Sequence, residues 1–230
     1  MEITWLGHSC VRIQGSHIAV VTDPYSSSSG ATLPKVKADV ITVSHEHPDH
    51  SHVTAVDGSP RILAGPGEYE VANFYISGMG TPRHAKLERS DEDTELTEDS
   101  PEISDANFNK QINTIYTYRS EGLTLCHLGS IIQPLTSRQL ENLNQTDILF
   151  IPVGGNSTIP IDRAAQLLNL IGPRIVVPIN YQSGGANSAA QPVDNFLQEI
   201  GATEVNSQTK LSVTATNLPR DMTVIVLEQS

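Results

Sequence analysis

The sequence predicts an α/β fold of the α+β kind, in which two β-sheets pack together and helices cover their outer faces. Short apolar segments with strand character form two clusters along the chain. A strongly acidic stretch separates the two clusters, and segments with helical periodicity fall between and after the later strands. A chain of 230 residues is also long enough to bury one sizeable core.

The first cluster begins as an antiparallel meander. Turns that contain Gly7 and Gly15 separate its first three segments, as expected for hairpin connections. The predicted strands of this cluster are 3–6, 10–14, 17–22, 40–43, 62–64 and 71–77.

The second cluster mixes strands with helices. One helix is predicted to begin at a cap formed by Thr136 or Ser137. A second begins at Pro160 and ends at Gly172, and a third covers 192–200. The predicted strands of this cluster are 112–118, 123–127, 148–151, 175–179 and 223–227.

Acidic residues dominate the stretch between the clusters. Between Glu88 and Asp105 there are nine acidic side chains, opposed only by Arg89. We therefore predict a single domain over 1–230, in which 88–110 forms a mobile acidic insertion at the surface. A lid that repels anions or recruits a cationic partner is the alternative, and no feature of the sequence selects it.

Composition excludes several function classes. A net charge of −12 argues against a broad nucleic-acid surface. The N-terminus reads as a strand without a basic flank, and no segment approaches the roughly 20 apolar residues of a spanning helix. Cys10 and Cys126 lie far apart and fit reduced, buried thiols. We expect a cytoplasmic protein with a small-molecule substrate and neither membrane nor nucleic-acid partner, while homo-oligomer formation is left open.

The most informative motif is His45-Glu46-His47-Pro48-Asp49-His50, which directly follows the apolar run 39–44. In an extended segment His45 and His47 project to the same side, and the following turn can bring Asp49 and His50 beside them. Imidazole and carboxylate ligands suit zinc, or iron or manganese if more oxygen ligands join. A polar, histidine-rich loop is the structural alternative.

Further blocks accompany this motif in a fixed order. They are Gly7-His8-Ser9-Cys10, Thr22-Asp23-Pro24, Gly65-Pro66-Gly67-Glu68-Tyr69-Glu70, Cys126-His127-Leu128-Gly129, Ile151-Pro152-Val153-Gly154-Gly155 and Pro178-Ile179-Asn180-Tyr181. Together the blocks resemble the metallo-β-lactamase superfamily, in its branch of small stand-alone metal-dependent hydrolases similar to ascorbate-phosphate lactonase. The resemblance implies a four-layer αββα sandwich with a metal site at one edge, between the sheets.

The resemblance also implies a ligand set for two metals. His45 and His47 would bind the first metal with a third histidine, for which His84 is the candidate. Asp49 and His50 would bind the second. The family's bridging aspartate position is Ser130 here, and its late histidine position is Asn180. Because neither residue replaces the expected ligand, we expect the second site to be empty or weak, with one ion or none in total.

Two supporting roles follow from the same resemblance. Asp23 would lie beneath the histidine loop and accept the second N–H of a ligating imidazole, and Asp49 would accept a proton. The implied function is metal-dependent hydrolysis, in which a metal-bound water attacks an ester, lactone or phosphoester. The alternative is a catalytically reduced member of the superfamily that acts as a binding or structural protein.

Overall fold

A computed structural model of the protein describes residues 1–83, 112–155, 158–183, 190–202 and 204–230. The predicted acidic insertion 88–110 and His84 lie outside these ranges. The strands are β1 (Glu2–Gly7), β2 (Cys10–Gln14), β3 (Ala19–Thr22), β4 (Val36–Lys37), β5 (Val40–Val43), β6 (Val56–Asp57), β7 (Arg61–Ala64), β8 (Gly67–Val71), β9 (Phe74–Pro82), β10 (Ile112–Ser120), β11 (Leu123–His127), β12 (Ile148–Pro152), β13 (Ile175–Ile179), β14 (Ser207–Gln208), β15 (Leu211–Ser212), β16 (Thr223–Val224) and β17 (Val226–Leu227). The α-helices within the same ranges are α1 (Ser137–Glu141), α2 (Ile161–Ile171) and α3 (Val193–Glu199).

Most of these strands form two sheets. Sheet 1 has the order β15-β1-β2-β3-β5-β7, and sheet 2 has the order β16-β13-β12-β11-β10-β9-β8. The predicted meander is confirmed, because β1, β2 and β3 pair antiparallel in succession. Strand β5 then pairs parallel with β3, and β11, β12 and β13 pair parallel with one another.

Two predicted strands are wrong because each covers parts of two separate strands. Residues 71–77 are not one strand, because β8 ends at Val71 and β9 begins at Phe74. The turn between them places Ala72 at a φ of 51°, a conformation that alanine rarely adopts, so the sequence did not mark it. Residues 223–227 also divide, because β16 pairs with β13 in sheet 2 whereas β17 pairs with β14.

The helices fall where periodicity predicted them. Thr136 caps α1, since its Oγ1 accepts from the backbone N–H of Gln139 while the Gln139 side chain bonds back to Thr136. Helix α2 buries Ala164, Leu167, Leu168 and Ile171 and ends at Gly172, whose φ is 64°. Within the described ranges, no helix is long and apolar enough to cross a membrane.

Both faces of sheet 1 are covered. Alternate residues such as Ile3, Val20 and Val40 pack into the core shared with sheet 2, whereas Val21 and Ile41 pack into a separate cluster on the other face. The α/β sandwich is therefore confirmed. In the described segments, that outer cluster is closed by the loop that carries Tyr25, by the paired strands β4 and β6 with Val36 and Val56, and by a short 3-10 turn, in place of long helices. The serine- and glycine-rich run 26–30 disfavours a helix there.

Hydrogen bonds tie the two sheets together at one edge. The N–H of Thr114 donates to Ser44 O at 2.7 Å, and the N–H of Asn180 donates to His8 O at 2.8 Å. The Tyr116 hydroxyl reaches the carbonyl oxygens of Leu63 and Gly65, each at 3.0 Å. These bonds cross from sheet 2 to sheet 1, so they fix the mutual position of the strand ends that carry the polar motifs.

The two cysteines have the predicted structural role. Cys10 in β2 and Cys126 in β11 are both buried and free. Burial raises the pKa of both thiols, so they stay protonated and pack as small apolar groups.

Candidate metal centre

Strand ends bring the polar motifs together at this edge. Asp23 directly follows β3, His45 follows β5 after Ser44, and Asn180 directly follows β13. The carboxyl ends of parallel strands meet at one edge of a sheet, which is where α/β folds build their sites. His8, Asp23 and Asn180 are buried and have φ values of 47°, 40° and 55°. Left-handed backbone at non-glycine residues is strained, and such strain clusters at functional sites.

Asp23 is the centre of a buried hydrogen-bond network. Its Oδ1 accepts from the N–H of Ser44 at 2.7 Å. Its Oδ2 accepts from the Ser44 hydroxyl at 2.6 Å and lies 2.9 Å from Nδ1 of His50. The Ser44 hydroxyl in turn lies 3.0 Å from Nδ1 of His45. One carboxylate therefore holds two histidines, His50 directly and His45 through Ser44.

The network fixes the tautomer of both rings. An ionised carboxylate only accepts hydrogen bonds, so Nδ1 of His50 is protonated and donates the hydrogen bond that Asp23 accepts. The Ser44 hydroxyl has one hydrogen, which it donates to Asp23. Its oxygen therefore accepts a hydrogen bond from the Nδ1–H of His45. Because Nδ1 of each ring is held by a hydrogen bond, Nε2 is the nitrogen that can bind a metal. This is the arrangement that metal-ligating histidines use, with the second ring nitrogen held by a hydrogen bond.

Electrostatics keep this network in the required charge state. Burial, with the nearby His50, lowers the pKa of His45 to about 2, so His45 is neutral near pH 7. Burial opposes ionisation of Asp23, but the hydrogen bond and charge of His50 outweigh it and lower the pKa of Asp23 to about 2. A neutral imidazole and an ionised carboxylate are the forms that bind a metal and brace a ligand.

His47 and Asp49 lie further out in the same loop. The His47 side chain is 50% exposed and that of Asp49 is 32% exposed. Nδ1 of His47 accepts a hydrogen bond from the backbone N–H of Asp49 at 3.2 Å, so the electron pair on this nitrogen is already used. The His47 ring centre is 6.0 Å from that of His45, whereas the rings of His45 and His50 are 4.2 Å apart. The structure thus brings His45 and His50 closest together.

Ser130 and Asn180 complete the opposite side of the site. The Ser130 hydroxyl lies 3.3 Å from Nε2 of His50, and the Ser130 N–H donates to Oδ1 of Asn113 at 2.8 Å. Asn180 is buried beside His8, to which its backbone is bonded. Position 130 therefore lies beside the retained histidines, but it presents a neutral hydroxyl where the resemblance implies a carboxylate.

The retained donors fit part of one ligand set. Within the described ranges, no group of three histidine, cysteine, aspartate or glutamate side chains is arranged to hold a metal ion. His45 and His50 nevertheless suit two ligand positions of a single ion, since the hydrogen bonds at Nδ1 leave Nε2 as the nitrogen that can bind it. Further ligands would have to come from His47, Asp49 or a residue outside those ranges. His84, the predicted third histidine, is such a residue.

The structure adds polar groups whose roles the sequence did not assign. His8 is buried, with its Nε2 lacking a hydrogen-bond partner and its ring centre 4.6 Å from that of Tyr25. Arg83, immediately after β9, has a buried Nη1 that also lacks a partner. The only sequence signal for Arg83 was its position beside His84. His127 has a structural role, because its Nε2 donates to Ser9 O while its Nδ1 accepts from the Gly129 N–H.

A largely apolar cavity of about 360 Å³ opens beside His45. Its polar side includes Ser44, Glu46 and Ser51, and its apolar wall includes Ile62 of the edge strand β7. Sites that bind small molecules are commonly concave and apolar, with a few convergent polar groups. The lining residues are Val43, Ser44, His45, Glu46, Ser51, Val53, Ile62, Ala64, Gly65, Ile112 and Thr114.

Known proteins match both the sequence and this architecture. A family model described as the beta-lactamase superfamily domain matches residues 2–180. A UPF0173 protein of Pyrococcus furiosus is 29% identical over 212 residues, which cover 87% of this chain and 90% of the relative. A UPF0173 metal-dependent hydrolase of Lysinibacillus sphaericus is 28% identical over 200 residues, covering 80% and 86%. A crystal structure described as a candidate Zn-dependent hydrolase of the metallo-β-lactamase superfamily, from Thermotoga maritima, superimposes with a TM-score of 0.75 at 28% identity, covering 99% of this chain and 98% of that chain.

Proposed function

This chain belongs to the β-lactamase superfamily, and we propose that it is a metal-dependent hydrolase with one working metal position. Relatives that cover most of its length carry the name metal-dependent hydrolase. The proposed substrate is a small molecule with an ester, lactone or phosphoester bond. The second metal position is proposed to be incomplete, because Ser130 and Asn180 occupy the places of two ligands.

The Asp23 network is the observation that carries this proposal. It orients His45 and His50 so that each offers Nε2, and it is buried and fully hydrogen-bonded. A buried ionised carboxylate is costly unless it is hydrogen-bonded, and a carboxylate that holds the second nitrogen of a histidine is typical of metal sites. A polar surface loop would need no such bracing, so the network favours a metal site over the structural alternative.

The residues of the site have distinct proposed roles. His45, His47 and His50 would hold the ion, and zinc is favoured by the nitrogen-rich donor set, with iron or manganese as alternatives. A bound ion of this kind lowers the pKa of a coordinated water and polarises the electrophile. Asp49, which is partly exposed beside His47, is proposed to accept the proton of the attacking water. The cavity beside His45 would hold the apolar part of the substrate.

A specific observation favours a second candidate function. The side of the site that carries Ser130 and Asn180 offers no charged ligand, and its backbone is nevertheless tightly held by Asn113 and His8. A catalytically reduced protein that binds a ligand in the same cleft would keep this architecture without the ligands. Measurement of metal content together with turnover separates the two functions.

The test uses protein purified without chelator and then supplied with zinc, manganese or iron. Turnover of aryl esters, lactones and phosphodiesters is measured before and after chelation. We expect chelator-sensitive hydrolysis that His45→Ala abolishes and that His52→Ala, a matched change at an exposed histidine, leaves unchanged. Metal content near zero after supplementation, or no hydrolysis by the metal-loaded protein, would exclude the hydrolase and leave the binding protein. Hydrolysis that survives His45→Ala would refute the metal site assigned to it.

A further inference from the structure

Arg83 has an unusual position for a charged residue. It directly follows β9, whose end pairs with Ile112 and Asn113. Asn113 in turn binds the backbone of Ser130, so Arg83 belongs to the strand ends that build the metal centre. Its guanidinium is half-buried, and Nη1 is shielded from solvent without a hydrogen-bond partner. Within the part of the chain that the structure describes, Arg83 also forms no ion pair.

The charge of Arg83 acts on the retained histidines. Burial is the main cause of the lowered pKa of both His45 and His47, and the positive charge of Arg83 lowers both further. Burial lowers the pKa of Arg83 itself, and Asp23 opposes that shift. An arginine nevertheless stays protonated in proteins. The centre therefore contains a fixed cation near its histidines, in addition to any metal.

No described carboxylate satisfies this cation. Asp23 influences Arg83 electrostatically, but its two oxygens already accept from Ser44 and His50. Glu46 is exposed and Asp49 contacts the His47 side of the loop. Leaving a shielded donor such as Nη1 unpaired is unfavourable, and more so for a charged group. A ligand with oxygen acceptors would complete the hydrogen bonds of this group.

We propose that Arg83 is an anion-binding residue of this centre, and that the substrate carries an oxyanion, a phosphate or a carboxylate, next to the bond that is cleaved. The guanidinium presents a planar fork of N–H donors that matches two oxygens of such a group, and this geometry is why arginine is favoured at oxyanion sites. Only the identification of the anion as part of a substrate rests on the proposed function, because anion binding itself requires no turnover.

The test measures anion binding directly. The full chain, as purified and after chelation, is titrated with inorganic phosphate and separately with acetate, while the side-chain NMR signal of Arg83 and the heat of binding are followed. We expect saturable binding that Arg83→Gln weakens at least tenfold. Arg61→Gln, which changes an arginine in the exposed edge strand β7, should bind as the wild type does. Arg83→Lys should retain part of the affinity, because it keeps the charge without the fork.

Two comparisons sharpen the result. Tighter binding of phosphate than of acetate identifies a phosphoester-type substrate, and the reverse order identifies a carboxylate. Zinc affinity should be unchanged or raised in Arg83→Gln, because the substitution removes a positive charge near His45 and His47.

Three outcomes would overturn the proposal. They are undetectable binding of both anions to the wild type, equal binding by Arg83→Gln, or a fall in zinc affinity parallel to the loss of anion binding. The last would mean that Arg83 only shapes the metal centre. Because the chelated arm involves neither metal nor turnover, an inactive enzyme that still binds phosphate through Arg83 would refute the proposed function and leave this inference standing.

Discussion

The two sides of the candidate metal centre differ in what they retain. On the side built from the ends of β3 and β5, Asp23 braces His45 and His50 through a continuous set of hydrogen bonds. On the side built from the ends of β11 and β13, Ser130 and Asn180 are equally buried but carry neither a charge nor an imidazole. The first side therefore presents imidazole and carboxylate groups, whereas Ser130 and Asn180 on the second side present neutral groups alone.

This difference shows that backbone geometry and ligand chemistry are separable. Asn180 retains a left-handed backbone at a φ of 55°, which asparagine tolerates better than most residues. Gly129, before Ser130, is equally constrained, since a Cβ there would lie 2.3 Å from Oδ1 of Asn113. Hydrogen bonds and close neighbours from the protein itself accompany both conformations. The shape of a loop is therefore weak support for a metal ligand at that position, and the donor atoms must be considered separately.

The largest effect is expected at Asp23. Asp23→Asn replaces a carboxylate oxygen by an amide N–H2 that faces the donors of Ser44 and His50, so the network cannot reform. We expect a loss of about 2–5 kcal/mol in the free energy of unfolding and a fall of roughly 10–100-fold in metal affinity. Urea unfolding with chelator and metal titration measure the two effects. Asp57→Asn, at an exposed position, is the control, and equal stabilities of the two variants would refute the bracing role.

The free energy of unfolding should depend on pH because of the side that carries Asp23 and His45. The pKa of His45 falls from 6.5 to about 2 on folding, so below pH 6.5 the unfolded chain binds a proton that the folded chain does not. The free energy of unfolding should therefore decrease as pH falls below 6.5, with a slope of up to about 1.4 kcal/mol per pH unit from this group. Asp23 adds a loss with the same sign at lower pH, as pH falls from 3.8 towards about 2.

Substitution isolates the contribution of His45 to this slope. Urea unfolding of chelated protein between pH 7.5 and pH 5, in roughly half-unit steps, gives the slope for each variant. His45→Gln should reduce it, leaving the part that comes from His8, His47 and His127, whose pKa values burial also lowers. His17→Gln, at an exposed histidine, should keep the full slope. A wild-type slope of zero over this range would contradict burial of a neutral His45.

Two serines offer a smaller, matched comparison of the sides. Ser44 and Ser130 are both almost fully buried, but Ser44 links Asp23 to His45 whereas Ser130 reaches only Nε2 of His50 at 3.3 Å through its side chain. We expect Ser44→Ala to destabilise the fold by about 1–3 kcal/mol and Ser130→Ala by about 0.5–1.5 kcal/mol. Urea unfolding of the two variants measures both losses of stability. A loss for Ser130→Ala that equals or exceeds that for Ser44→Ala would contradict the difference between the two sides.

The sequence predicted the elements that local chemistry specifies. Alternation and turn residues predicted β1 to β3, and a capping threonine and a terminal glycine predicted α1 and α2. The motif 45–50 placed the histidines at a strand end. The turn at Ala72 escaped prediction because its left-handed backbone is imposed by the hairpin rather than by the residue.

Other features of the site depend on contacts between distant residues. The carboxylate of Asp23 is linked to His45 through Ser44. Arg83 joins the centre because β9 ends, and β10 begins, beside it. No local pattern encodes such proximity, so the sequence could not show which polar groups remain unpaired. The roles of His47, Asp49 and His84 as ligands stay predictions.

The metal stoichiometry of two proteins tests the central asymmetry most directly. Wild type and the Ser130→Asp/Asn180→His double variant are saturated with zinc or manganese, freed of loose metal by gel filtration and analysed for ions per chain. Ser59→Asp with Asn144→His makes the same chemical changes at exposed positions and serves as the control. We predict no more than one ion in the wild type and in the control, and one additional ion in the double variant. Two tightly held ions in the wild type, or no gain in a folded double variant, would contradict the account.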